Sequence, residues 1–152
     1  MLPTPTKFTL VTGSSEGRTE LTAFDKALLA AGIGNLNLVK VSSILPPGAR
    51  AVDRLDVPPG SLLPVAYASI TSAIPGELIA AAVAVGLSPN NFGVIMEFSG
   101  RLSGAEAEAR VRAMVEEAFE TRRMPLGSIQ ARSVEHRVSS TGCAFAAVAL
   151  WY

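Results

Sequence analysis

Apolar positions along this chain change their period several times, and each change marks an element. Phe8–Thr12 predicts a short strand, and Gly13-Ser14-Ser15-Glu16-Gly17 predicts a loop after it. Thr22 then reads as an N-cap with Asp25 at the third helical position. Behind it Phe24, Ala27, Leu28 and Ala31 recur at helical spacing until Gly32 and Gly34 stop the helix. Leu36–Val41 alternates as a strand that delivers Ser42-Ser43 at its end, and Pro46-Pro47 forces the chain out of any central ladder.

A second strand is predicted over Leu62–Ile70. Pro75-Gly76-Glu77 opens what reads as an alanine-rich helix to Val85, and Phe92–Phe98 follows as a buried strand. Ser103 and Glu106 have capping-box spacing ahead of Val111, Met114, Val115, Ala118 and Phe119, one face of a long amphipathic helix. Ile129–Val138 and Cys143–Trp151 close the chain as strands, the last apolar on both faces and therefore expected to be central. Three helices and about six strands are thus expected. A layered α/β sandwich fits them better than a doubly wound sheet, because some strands follow one another directly.

Composition narrows the function classes. The 152 residues suit a single domain over 1–152, and 49% of them are apolar against 17% charged. Thirteen basic and thirteen acidic side chains cancel, which argues against a nucleic-acid partner. One cysteine, Cys143, and one histidine, His136, leave almost no ligands for a Cys/His metal site, so no metal is expected. No signal peptide and no apolar run of membrane-spanning length is present, so a soluble, cytoplasmic protein with no membrane partner is the expectation.

The Ser42-Ser43 pair at a strand end carries the most specific candidate chemistry, beside the plain one that serines are common in turns. A serine hydroxyl held against the preceding carbonyl can take over the acyl group. β-Elimination from that ester leaves dehydroalanine, which hydrolyses to a pyruvoyl group. Glu97, inside the apolar Val94–Phe98 run, is either desolvated, with its pKa raised to a value useful in proton transfer, or at a solvated strand end. Asp25 is either a capping carboxylate or a receptor for a long cation, with Leu21, Leu28 and Leu29 on its helix face. Asn37 shares a strand side with Val39 and Val41, so it is either an inward amide that needs hydrogen-bond partners or serves as one, or, with Asn35, a turn and edge residue. His136 reads as a solvated strand histidine and Cys143 as a buried small residue.

The segments GSSEG (13–17), TAFDKALLAAGIGNLNLVKVSSILPP (22–47), PPGSLLPVAYA (58–68), PGE (75–77), GVIMEFSG (93–100), VEHRV (134–138) and GCAFAAVALWY (142–152) together resemble the pyruvoyl-dependent arginine decarboxylase family. They keep that family's order over nearly the whole chain, and GIGN-x-N-x-x-x-x-SS-I-x-PP is the most specific part. The resemblance implies an α/β/β/α sandwich, self-cleavage into 1–42 and 43–152, and a covalent pyruvoyl cofactor made from Ser43 in place of pyridoxal phosphate. It further implies Asn37 as the asparagine that assists processing, Asp25 as the guanidinium receptor and Glu97 as the proton donor. The implied reaction takes L-arginine to agmatine and carbon dioxide through a Schiff base, in a homotrimer with sites between neighbours. Ser99 stands where some relatives carry an acid. Two other readings stay open: a pyruvoyl decarboxylase of another amino acid, and a non-enzymatic assembly protein that never matures.

Overall fold

In the computed structural model, which describes residues 1–152, the elements in chain order are β1 (Lys7–Glu16), α1 (Glu20–Ala30), β2 (Asn37–Lys40), β3 (Ile44–Leu45), β4 (Arg50–Ala51), β5 (Leu62–Ser72), β6 (Leu78–Leu87), β7 (Gly93–Gly100), α2 (Gly104–Arg122), β8 (Ser128–Arg137) and β9 (Gly142–Trp151). One sheet has the order β2-β5-β9-β1-β4 and the other β3-β7-β6-β8. The sheets face each other, with α1 outside the first and α2 outside the second, which is the expected α/β/β/α sandwich.

Three apolar layers hold these four together. Ala23, Ala27 and Leu28 of α1 pack on Val65 and Phe145. Phe8, Leu10, Val83, Val85, Ile95 and Val148 fill the space between the sheets. Val111, Val115 and Phe119 of α2 cover Ala80, Ala82 and Ala84. The last strand, β9, is central as its two apolar faces require, with β1 and β5 antiparallel on either side.

The alanine-rich stretch expected to be a helix is instead β6, a central strand paired with β7 and β8. Helix propensity is overridden here by burial on both faces, and Ala80 through Val85 are all fully buried. Small side chains are what the position needs. A Cβ on Gly86 would run into Val115 and Phe119, so α2 lies almost against the strand backbone. Two helices, not three, therefore form.

The expected Gly13–Gly17 loop is also mostly strand, because β1 continues to Glu16 opposite Gly142. Gly13 sits under α1, where a Cβ would strike the Ala27 carbonyl and the Ala31 nitrogen. The helix begins one turn earlier than expected. Thr19 is the N-cap, its hydroxyl accepting from the Thr22 N–H while Thr22 Oγ1 accepts from the Thr19 N–H. Asp25 is consequently a mid-helix residue and not a capping partner. Ser103 caps α2 as expected, accepting from the Glu106 N–H at 3.1 Å.

His136 is not a solvated residue. Its Nε2 is hydrogen-bonded to Glu16 Oε2, tying β8 of one sheet to β1 of the other, while Glu16 Oε1 accepts from the Ser140 and Thr141 N–H groups. The His136 bond, followed by the Ser140 N–H, holds the Glu16 carboxyl at about 2, against an ordinary 4.5. A carboxyl with a depressed folded value stabilises the fold above its unfolded value and loses that contribution as pH falls between the two. Glu16→Gln is expected to lower Tm at neutral pH, with the gap to wild type closing as pH falls from 4.5 to about 2. Thermal melts of both proteins across that range would check it.

Candidate active site

The chain changes sheets at the serine pair. The Val41 N–H still donates to the Val65 carbonyl of the first sheet at 3.0 Å, and the Ser43 carbonyl already accepts from the Ile95 N–H of the second at 2.7 Å. Only Ser42 stands between the two ladders. The Ser42 carbonyl and the Ser43 N–H, the two halves of the peptide joining the serines, make no hydrogen bond within the chain. Ser42 is exposed and Ser43 half-buried.

Pairing of Ile44 with Val94 and Leu45 with Gly93 sets Ser43 opposite Ile95. Glu97 lies two residues beyond Ile95, and Leu45 two beyond Ser43. Leu45 and Ile95 both point into the core between the sheets. By the two-residue period Ser43 and Glu97 share that inner face, at a diagonal spacing of roughly 7–8 Å.

Of the two expectations for Glu97, the desolvated one holds. It is half-buried, paired with Val83 of β6, and burial raises its carboxyl above the ordinary value of 4.5 against the opposing charge of Lys40. Beside it, Ser99 Oγ donates to the Ser69 carbonyl at 3.0 Å and binds β7 to the border of β5. Lys40, the last residue of β2, rests its ammonium 4.6 Å from the centre of the Tyr67 ring.

Asp25 and Asn37 lie elsewhere on the protomer. Asp25 is on the exposed side of α1, flanked by Leu21 at 75% and Leu29 at 49% exposure. Leu28, expected on the same face, is turned instead to the core beneath the helix. Asn37 is an exposed edge residue whose Nδ2 donates to the Gly60 carbonyl at 2.9 Å. The extended run from Asn37 to Val41 already covers about 13 Å, so Asn37 cannot reach the Ser43 side chain in the same chain.

Ser43 and Glu97 are thus on one inner face, whereas Asp25 on α1 and Asn37 on β2 are both exposed away from it. Apolar side chains are also uncovered on these elements, Leu21 and Leu29 on α1, Val39 on β2 and Leu62 on β5. A groove of about 560 Å³ runs between the end of α1 and the 53–59 segment, lined by Gly34, Asn35 and Leu36 but by none of Ser43, Glu97, Asp25 and Asn37.

The contact between Lys40 and Tyr67 was not legible in the sequence. The one available signal was a lysine three positions before Ser43 in an otherwise apolar strand end. Cys143 is buried as expected, and burial pushes its thiol up to about 11, well away from nucleophilic use. No helix is long and apolar enough to cross a membrane.

The same arrangement of segments recurs in known proteins. The sequence model of the family described as pyruvoyl-dependent arginine decarboxylase (PvlArgDC) matches residues 7–152. A pyruvoyl-dependent arginine decarboxylase of Methanocaldococcus jannaschii is 51% identical over 150 residues, covering 97% of this chain and 91% of its own. Proteins of the same description from Thermococcus kodakarensis and Pyrococcus abyssi are each 45% identical, covering 98% of this chain and 96% of theirs.

Proposed function

Because this chain belongs to the pyruvoyl-dependent arginine decarboxylase family, we propose that it cuts itself between Ser42 and Ser43 and then converts L-arginine to agmatine and carbon dioxide. The observation that carries this reading is the Ser42–Ser43 peptide itself. It lies where the chain passes directly from one sheet to the other and is free of hydrogen bonds within the chain, and Ser43 shares an inner face with a desolvated carboxyl.

In the cleavage, Ser43 Oγ attacks the Ser42 carbonyl carbon and the C–N bond breaks, leaving an ester and a free amine at position 43. Loss of the Ser43 Cα proton and of the Cβ–Oγ bond then frees Ser42 as a carboxylate. Water displaces ammonia from the dehydroalanine that remains, and position 43 becomes a pyruvoyl group. Both new ends stay anchored. Residues up to Val41 are held by β5, and residues from 43 onward by β7. The pyruvoyl group supplies an electron sink for the bond to the departing carboxylate.

The remaining work belongs to side chains. Glu97 holds a proton on the inner face and delivers it to the former α-carbon after carbon dioxide leaves. Asp25 receives the guanidinium through a planar two-point contact, a geometry lysine uses less well. The distance of Asp25 and Asn37 from the face of Ser43 and Glu97, with apolar side chains exposed on α1, β2 and β5, supports a homotrimer in which each site draws residues from two subunits. Asn37 then acts in processing and in lining the site from across that interface.

The test is intact-mass spectrometry with and without borohydride, followed by carbon dioxide release from arginine and other amino acids. Chains of 1–42 and 43–152, a reducible carbonyl on the longer, and preference for arginine are the expected results. A single chain after long incubation would overturn the reading. In the cleaved enzyme Asp25→Ala is expected to raise KM for arginine roughly 10- to 100-fold, the loss of one charge-assisted contact. Self-cleavage should be unchanged, and unaltered arginine kinetics would remove Asp25 from the site.

A further inference from the structure

We infer that the groove beside the end of α1 is a second binding site, for an aliphatic chain that ends in an ammonium or guanidinium group. Agmatine, the amine product of the proposed reaction, belongs to that class, and its choice as the occupant rests on that reading.

The groove lies between the end of α1 and the face of the first sheet. Its outer wall is the 53–59 segment, which leaves the edge strand β4 and crosses to β5. Leu55 and Val57 pack into the apolar layer beneath α1, and just beyond them the Gly60 N–H donates to the Asn35 carbonyl at 2.8 Å. Val11, Ile33, Leu55, Val57 and Leu63 give the groove apolar walls along its 560 Å³. Walls of this kind suit an alkyl stem and offer nothing to a hydrated metal ion.

The charged groups favour a cation. Asp53 and Asp56 line the groove, both are exposed, and neither is in an ion pair. Asp53 also borders a polar cleft with Arg112 and Arg132 but pairs with neither. Arg54 lines the groove as well, so two carboxylates stand against one guanidinium. Ala31 and Gly32 bring the C-terminal end of α1 into the lining, where the helix carries partial negative charge and no basic side chain in its last turn.

Thr9 points to a ligand independently of these charges. By the two-residue period it shares the α1 side of β1 with Val11, while Phe8 and Leu10 turn into the core between the sheets. Thr9 is only 6% exposed, and its hydroxyl makes no hydrogen bond within the chain. No sealed side-chain oxygen lacks a partner, so this hydroxyl opens into the groove that Thr9 lines. There it can accept from an ammonium or guanidinium N–H.

Methyl NMR titration of the purified protein with agmatine tests the site through its own walls. Saturable shifts are expected at Ile33, Leu55 and Val57, and they should persist in Asp25→Ala. The double variant Asp53→Asn, Asp56→Asn is expected to weaken the titration about tenfold or more. Thr9→Val, which keeps the side-chain shape and removes the hydroxyl, should weaken it roughly three- to tenfold. Arginine, which adds a carboxylate, should titrate these methyls more weakly than agmatine, and guanidinium ion, which lacks the stem, more weakly still. Methyls that do not respond, or that respond equally in the double variant, would overturn the proposal. So would arginine binding as tightly as agmatine, or loss of the shifts in Asp25→Ala, which would assign them to the reaction site. The titration needs no turnover, so it decides the groove even if arginine is not the amino acid decarboxylated.

Discussion

Ser43→Ala is expected to yield one uncut chain of 15.8 kDa, with no carbonyl reducible by borohydride and no carbon dioxide release from arginine. Alanine has no oxygen to receive the acyl group of residue 42, so the first bond of the cleavage cannot form. The fold should survive. The Ser43 hydroxyl makes no hydrogen bond, whereas its backbone carbonyl, which holds the Ile95 N–H, is kept in the variant. Its stability is expected to lie within about 0.5 kcal/mol of the precursor, as for substitutions that break no packing and no bond. Ser42→Ala is the matched control. Ser42 contributes only its carbonyl, so that variant should still divide between residues 42 and 43. Intact-mass spectra of both variants separate a role for the Ser43 side chain from a general fragility of this segment.

The serine pair was readable because its signal is local: a strand end, two hydroxyls and a proline-rich exit within a few residues. What makes the pair distinctive in the structure is not local. The change of sheets at Ser42 depends on which strands Val41 and Ser43 join, and no spacing within 36–47 encodes that. The same limit explains the misread alanine run. Ala80–Val85 has helical propensity, but its alternation was hidden because both faces are buried against different layers, one by the opposite sheet and one by α2. Glu97 was correctly picked out as a charge in an apolar run, whereas its face followed only from the register with Ser43. Lys40 and Tyr67 come from different strands and meet only where β2 stops short. The latch between Glu16 and His136 is likewise a contact between residues 120 positions apart.

Glu97→Gln is expected to lower kcat by two to four orders of magnitude, the usual contribution of a positioned acid, while cleavage between Ser42 and Ser43 continues. Glutamine keeps the size of the side chain and removes the acidic proton. Burial raises the carboxyl from its ordinary 4.5, so the protonated donor persists to higher pH and kcat falls as pH rises through the raised value. That limb should vanish in the variant. Stability supplies an independent check of opposite sign. An acid whose folded pKa is raised binds its proton more tightly in the folded state, so its charged form costs stability as pH climbs above the unfolded value. At neutral pH wild type bears that cost and the glutamine variant does not. Glu97→Gln should therefore be nearly inactive yet melt at a higher temperature than wild type, with the difference shrinking below pH 4.5. A variant that loses activity and also melts lower would mark Glu97 as a structural residue. Loss of activity with a gain in Tm identifies a desolvated carboxyl kept for its proton at the expense of the fold.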